Sequence, residues 1–260
     1  MVVGAVALIA GGDGMTAARL AVSMTTLQAS IGSLNDVVDA PRDVDHKPGK
    51  PIPAGLVSPR LAVAVVAAGA GVGVGLAIPS GWATAGLAIV VLTIGYGYDL
   101  RVKGTAWSWL PFAIGLPLLP VYAWVGASGR VPAAFAILIP VAIAAGGAVA
   151  LLNGLVDIER DRAAGVVTAA VRLGPRRARA AAAGLLALIA IVVAGSLLAI
   201  GAGVGAWAVA GLGVAFTAAG AVAVGDRLSA RRERGWEAGA VGLALLAAGW
   251  AIGFAERGLL

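Results

Sequence analysis

A chain of 260 residues that is 60% hydrophobic and only 12% charged has too few polar side chains to cover the surface of a soluble domain. With a mean hydropathy of +0.95, the sequence predicts an all-α polytopic membrane protein in contact with the lipid bilayer. The absence of cysteine excludes disulfides and thiolate chemistry, and the net charge of +6 is interpreted as an orientation signal, so no nucleic-acid partner is predicted.

Runs of about 20 apolar residues are long enough to cross a bilayer as helices. A first run, residues 2–12, has only 11 residues and would give about 17 Å of helix. It is either a short helix or the remainder of one that begins upstream, and we favour the second interpretation. Eight longer runs follow: 16–36, 59–78, 82–98, 107–127, 132–154, 178–201, 204–224 and 237–255.

Basic residues are distributed unequally over the segments between these runs. Sixteen of the 19 fall in 42–60, 101–103, 160–179 and 227–234, all on one side of the predicted membrane. Because cytoplasmic loops carry an excess of Lys and Arg, that side is predicted to face the cytoplasm. The arginine runs in the last two of these segments are interpreted as orientation signals.

Two stretches with nearly the same acidic pattern lie on this side. Residues 35–43 read NDVVDAPRD and residues 153–161 read NGLVDIERD, so both fit N-x-x-V-D-x-x-R-D at a separation of 118 residues. We call them the first and the second acidic motif. A lone acidic stretch could be a solvated helix end, but the repetition favours a functional site.

The polar residues of each motif are spaced four apart, which places them on one face of a helix. In the second motif no proline interrupts Asn153, Asp157 and Asp161. In the first motif Pro41 is expected to bend or end the helix near its last turn. Carboxylates at membrane depth are costly unless they are paired, and oxygen ligands of this kind suit Mg²⁺ bound together with substrate phosphates.

These residues carry a resemblance to the UbiA superfamily of intramembrane prenyltransferases, which extends over nearly the whole chain. The first motif and the following HKPGKPIPAG (46–55) are similar to the family's N-D-x-x-D-x-x-x-D and its loop ending R-P-I-P-S-G. The second motif, with its trailing Gly165, Thr168 and VRLG (171–174), resembles the family's D-x-x-x-D element. Between them, YDLRVK (98–103) resembles the family's tyrosine-plus-lysine element.

The resemblance implies a single domain over 1–260, with about nine transmembrane helices around a central cavity and cytoplasmic loops over a polar site. It also implies an integral protein of the cell membrane whose active site faces the cytoplasm. The implied reaction is Mg²⁺-dependent transfer of a prenyl group from an isoprenyl diphosphate to a hydrophobic, usually aromatic, acceptor of the quinone-precursor type. Alternatives left open are cyclisation of the prenyl chain and transfer to a non-aromatic lipid.

The resemblance assigns roles to particular residues. The implied metal ligands are Asn35, Asp36, Asp39, Asp43, Asn153, Asp157 and Asp161. The implied diphosphate contacts are Lys50, Arg101, Lys103, Tyr98 and Arg42, and the implied catalytic set is Asp39, Asp43, Asp157, Asp161 and Lys103. Arg42 and Arg160 occupy equivalent positions in the two motifs, where each could instead pair with a neighbouring acid, and His46 is interpreted as a surface residue.

The match has departures. Val166 and Val167 stand where the family often has a basic pair, and Lys50 stands where an arginine is usual. Two other classes of protein fit less well. CDP-alcohol phosphotransferases have a different aspartate pattern, and an ion-coupled transporter would place its acids at mid-membrane on broken helices.

Overall fold

The computed structural model describes residues 2–46, 49–226 and 228–260, except for the side chains of Arg42, Asp45 and His46. All regular structure in these residues is helical, which confirms the all-α prediction. The α-helices are α1 (Val2–Ile9), α2 (Gly14–His46), α3 (Pro59–Ala77), α4 (Trp82–Gly97), α5 (Leu110–Ser128), α6 (Phe135–Val156), α7 (Ile158–Ala163), α8 (Ala169–Leu173), α9 (Pro175–Ala199), α10 (Val204–Ala223) and α11 (Ser229–Glu256).

In the described part of the chain, seven helices are long and apolar enough to cross a membrane, namely α3, α4, α5, α6, α9, α10 and α11. They correspond to seven of the eight long runs. The eighth run, 16–36, lies in α2, which has 33 residues and would extend about 50 Å, but is too polar to be counted with the others. The expected count of nine is therefore not confirmed.

The structure divides into two compact units. The first contains Met1–Val102 and Leu118–Val131, and the second contains Lys103–Pro117 and Pro132–Leu260. The first acidic motif belongs to the first unit and the second motif to the second.

Repeated polar contacts hold α2 in the first unit. Ser23 Oγ donates to the Gly73 carbonyl at 2.6 Å and lies 2.6 Å from the Tyr122 hydroxyl. One heptad later, Ser30 Oγ makes the same pair of contacts, with the Val66 carbonyl and the Tyr96 hydroxyl, each at 2.6 Å. Buried hydroxyls need such partners, so these contacts fix the face that α2 turns toward α3 and, with it, the direction of the first motif.

Glycines allow close helix packing in the second unit. A Cβ at Gly220 of α10 would lie 2.6 Å from the Gly235 carbonyl of α11, and one at Gly213 would lie 2.7 Å from the Leu246 nitrogen. Further buried side chains join α6 to this pair and to α9, among them Leu152, Leu155, Ile189 and Leu246. The end of α6, which carries the second motif, is thus anchored in a packed core.

Candidate active site

The first acidic motif lies entirely within α2. Asp43 is buried, whereas Asn35, Asp36 and Asp39 are partly exposed. Pro41 was expected to bend or end the helix near its last turn; it does not end it, because α2 continues to His46, and the bend stays a prediction. Proline removes one N–H donor and crowds the carbonyl four residues earlier, but a membrane helix can continue past it where neighbouring groups satisfy the freed carbonyl.

Lys50 supplies a cation to this motif. Its Nζ lies 2.7 Å from Asp43 Oδ2 and 3.0 Å from Asp36 Oδ1, so one ammonium joins two carboxylates of the motif. Burial alone would lower the pKa of Lys50, but the hydrogen bonds to Asp43 and Asp36 outweigh it and hold the pKa above its usual value. The ammonium therefore stays charged at neutral pH. Its contact with diphosphate stays a prediction.

A buried acid that sequence analysis did not single out supports Asn35. The Asn35 amide nitrogen donates to Asp99 Oδ1 at 2.8 Å, and Asp99 is only 5% exposed. Asp99 belongs to a π-helical turn, Tyr98–Val102, that follows α4 and also carries the partly buried Tyr98 and the exposed Arg101. Such turns are frequent at functional sites. The sequence signal that could have indicated Asp99 is an acid at the end of an apolar run, within YDLRVK.

The second acidic motif spans a break between two helices. Helix α6 ends at Val156, Asp157 has the non-helical angles φ −104° and ψ 11°, and α7 begins at Ile158. The expectation of an uninterrupted helix is therefore wrong. The Asp161 nitrogen donates to the carbonyl of Asp157, the N-cap of α7, at 2.9 Å, so the two aspartates lie one turn apart. Asn153 lies on α6 and is exposed.

The carboxylates of the second motif have their own neighbours. Arg160 Nη1 lies 3.0 Å from Asp157 Oδ1, which confirms the alternative that Arg160 pairs with a neighbouring acid. Thr168, the N-cap of α8, lies 3.5 Å from Asp161 Oδ2. Burial, together with the negative charge of Asp157, raises the pKa of Asp161 above its usual value. A pair of repelling carboxylates of this kind favours a bound cation.

Lys103 opens a loop that is joined through the backbone to the loop after α7. The Val167 nitrogen donates to the carbonyl of Gly104, the next residue after Lys103, at 3.2 Å. Gly104 has φ +77°, a conformation that favours glycine. The loop that begins with Lys103 is therefore fastened to the loop that follows Asp161.

Among the described residues, no group of three or more His, Asp or Glu side chains converges on a single metal position. The structure instead presents one pair of carboxylates in each unit, Asp36 with Asp43 and Asp157 with Asp161. The Arg42 side chain lies outside the described part of the chain, so its assignment stays a prediction. The His46 side chain also lies outside the described part of the chain, so its interpretation as a surface residue stays a prediction.

The sequence model of the UbiA prenyltransferase family matches residues 1–238. The chain belongs to this family. Membership confirms the resemblance inferred from the motifs and assigns the chain to the prenyltransferases. Among curated proteins, no sequence matches the chain significantly.

Solved UbiA structures have the same fold. A UbiA homologue from Aeropyrum pernix K1 gives a TM-score of 0.74 at 21% identity, over 95% of this chain and 93% of that one. A digeranylgeranylglyceryl phosphate synthase gives 0.73 at 15% identity, over 98% and 92%. A UbiA homologue from Archaeoglobus fulgidus, bound to DMAPP and Mg²⁺, gives 0.67 at 21% identity, over 96% and 94%.

The two valines that depart from the UbiA pattern lie against the loop that begins with Lys103. In place of the family's basic pair, Val166 packs near Gly104, where its Cγ1 would lie 3.4 Å from an added Cβ, and Val167 makes the backbone bond to the same glycine. The pair therefore joins two loops of the second unit and adds no cation. Arg232 lies in an arginine run that was interpreted only as an orientation signal, but it is buried and contacts Glu159 of the second motif.

Proposed function

We propose that the chain transfers a prenyl group from an isoprenyl diphosphate to an aromatic acceptor within the membrane, with Mg²⁺ as cofactor and release of diphosphate. The observation that carries the proposal is the pair of acidic motifs, each at the end of a long helix with a cation beside it, in a chain that the UbiA family model matches. The Archaeoglobus fulgidus homologue bound to DMAPP and Mg²⁺ supports the same donor and cofactor.

The donor atoms fit magnesium. Carboxylate and amide oxygens are the ligands that Mg²⁺ takes in proteins, and Asp36 and Asp43 already converge on a cationic group, the Lys50 ammonium. When bound, Mg²⁺ would act as a Lewis acid that neutralises charge on the leaving diphosphate. The residues that would hold it are Asn35, Asp36, Asp39, Asp43, Asn153, Asp157 and Asp161.

Cationic and hydroxyl groups of the protein bind the diphosphate in this proposal. Lys50, Lys103 and Arg101 donate to its oxygens, because charge-assisted hydrogen bonds to phosphate are short and strong. The Tyr98 hydroxyl can orient the same group. The backbone bond between Gly104 and Val167 supports this role for Lys103, since it joins the loop that Lys103 opens to the loop after α7.

The reaction then follows from the electron balance. The allylic C–O bond of the donor breaks, and its electron pair stays on the diphosphate oxygen. An electron-rich carbon of the acceptor forms the new bond to the allylic carbon and then loses its proton. The apolar helices exclude water, which would otherwise capture the allylic cation.

We place the site at the cytoplasmic face of the cell membrane, because the motifs lie in the segments that hold most of the basic residues. An aromatic acceptor of the quinone-precursor type is favoured by DIERD and VRLG, which resemble quinone-type family members. The likeness to a digeranylgeranylglyceryl phosphate synthase favours one other candidate, a glycerol phosphate lipid acceptor.

A donor and acceptor panel tests the proposal. Purified protein with Mg²⁺ is incubated with geranyl, farnesyl or geranylgeranyl diphosphate and, in turn, with hydroxybenzoate, dihydroxynaphthoate, homogentisate or a glycerol phosphate lipid. Mass spectrometry identifies the products. We expect a prenylated aromatic product and diphosphate. A prenylated glycerol phosphate would replace the aromatic acceptor with the lipid, and no consumption of any donor would refute the proposed function.

A further inference from the structure

Arg232 connects three separate segments of the second unit. It lies in the first turn of α11 and is only 9% exposed, in contrast to its neighbours Arg231 and Arg234. Its Nη2 lies 2.6 Å from Glu159 Oε2 and its Nη1 lies 3.2 Å from Glu159 Oε1. This two-point contact between guanidinium and carboxylate is geometrically specific as well as strong.

The same guanidinium also reaches the end of α6. Nη2 donates to the carbonyl of Val156, the last residue of α6, at 3.2 Å. The last four carbonyls of an α-helix have no partner within the helix, and a cation at this end is favoured by the helix dipole. A further bond from Nη1 to the Asp226 carbonyl, at 3.4 Å, ties Arg232 to the turn before α11.

These contacts lie on both sides of the helix break at Asp157. Val156 precedes the break and Glu159 follows it, so one nearly buried side chain of α11 holds both ends. Asp157 is the N-cap of α7 and Asp161 lies one turn further on, so the direction of α7 relative to α6 determines where both acids lie with respect to Asn153 on α6. A side chain that holds the two helices at the break therefore controls the position of the two acids relative to Asn153.

We propose that Arg232 is a positioning residue that, through Val156 and Glu159, sets the angle between α6 and α7 and so the position of the Asp157–Asp161 pair relative to Asn153. The inference rests on the proposed function for the role of that pair as Mg²⁺ ligands. Arg232 itself acts through the backbone and Glu159, not through the substrate. Arginine is required because its planar guanidinium contacts both Glu159 oxygens and the Val156 carbonyl, whereas the ammonium of lysine can replace only one of these contacts.

Two readouts test the inference without prenyl transfer. Mn²⁺ replaces Mg²⁺ as the probe, and its affinity is measured by electron paramagnetic resonance. Because the chain has no cysteine, spin labels can be introduced with A163C on α7 and L198C at the far end of α9, both exposed positions of the second unit. The distance distribution between the labels reports the direction of α7.

We expect R232M to broaden or shift this distribution and to weaken Mn²⁺ binding by about 10- to 100-fold, the usual effect of removing a group that orients metal ligands. R232K should be intermediate in both readouts. E159Q should weaken binding less than R232M, because the contact with Val156 remains. The double variant R232M/E159Q should be no worse than R232M, since both changes act on one contact. R234M, an exposed arginine of the same helix, is the matched control and should behave as the wild type.

An unchanged distance distribution and unchanged Mn²⁺ affinity in R232M would overturn the inference while leaving the proposed function intact. If R232M does not fold, the inference is tested with R232K and E159Q. A wild-type distance distribution and wild-type Mn²⁺ affinity in both variants would overturn it. Failure of the wild type to bind Mn²⁺ would contradict the proposed function instead. The distance measurement would then still show whether Arg232 holds α7.

Discussion

The two acidic motifs have nearly the same sequence but differ in backbone structure. The first contains a proline and is a continuous part of α2, whereas the second contains none and is broken at Asp157. At the second motif, the Arg232 side chain of α11 donates to the Val156 carbonyl before the break and to the Glu159 carboxylate after it. The comparison teaches that contacts from distant segments, more than local helix propensity, decide the backbone at these sites.

The motifs also differ in how their charge is compensated. In the first, one partly buried ammonium, that of Lys50, contacts two of the acids. In the second, Arg160 forms an exposed ion pair with Asp157, and Arg232 forms an ion pair with Glu159. The first motif is thus compensated by one ammonium shared between two acids, whereas at the second motif Arg160 makes an exposed ion pair and Arg232 of α11 contacts the backbone at the break.

The largest effect that can test this contrast is expected in the second motif. D161A removes one of the two carboxylates at the break and should lower kcat by about 10²- to 10³-fold, as for the loss of a group that stabilises developing charge. R160A should change kcat by about twofold or less, because an exposed ion pair contributes little. Steady-state kinetics on both variants checks this. A strong defect in R160A would show that the arginine does more than pair with Asp157.

In the first motif, the corresponding test concerns Asp99. D99L removes the acceptor that holds the Asn35 amide and should weaken Mn²⁺ binding by about 10- to 100-fold. D99N keeps an oxygen acceptor in nearly the same shape and should restore most of the affinity. Titration of Mn²⁺ by electron paramagnetic resonance separates the two. Equal losses in D99L and D99N would mean that the charge of Asp99, and not its bond to Asn35, is what matters.

The lysines offer a smaller and more specific contrast. K50M removes the ammonium from Asp36 and Asp43, so Mn²⁺ should bind more tightly in the absence of substrate, while the KM for the diphosphate donor rises about tenfold. K103M should raise the donor KM similarly and leave Mn²⁺ affinity unchanged. Parallel Mn²⁺ titrations and donor kinetics would check this. Weaker Mn²⁺ binding in K50M would contradict the view that Lys50 competes with the metal.

The smallest effect concerns the backbone of α2. P41A restores an N–H donor within a helix that already continues past this position, so it should stabilise the protein by at most about 3 kcal/mol. A thermal unfolding experiment should show a rise of a few degrees in Tm with prenyl transfer retained. A fall in Tm would contradict the view that Pro41 weakens α2.

The apolar runs and the motifs could be predicted from sequence because their signals are local. Seven of the eight long runs became long apolar helices, and both motifs lie at or near the end of a helix. The exception is α2, which is more polar than the other runs; two of its serines, Ser23 and Ser30, are satisfied by the hydroxyls of the buried Tyr122 and the partly buried Tyr96.

The parts that could not be predicted depend on partners far away in the chain. Asp99 lies 64 residues from Asn35, and Arg232 lies 73 residues from Glu159. Neither pair has a spacing that a pattern could reveal, and an arginine in a basic run has the same sequence signal whether it is exposed or buried. The break at Asp157 was missed for the same reason.

The central claim is that both motifs are needed for one Mg²⁺-dependent reaction. The most direct measurement is release of diphosphate from geranyl diphosphate, with acceptor and Mg²⁺ present, by the wild type, D43A and D157A in parallel. The account predicts that the wild type releases diphosphate only with Mg²⁺ and that both variants, while folded, lose at least about 10²-fold in rate. Wild-type rates in either folded variant would contradict it.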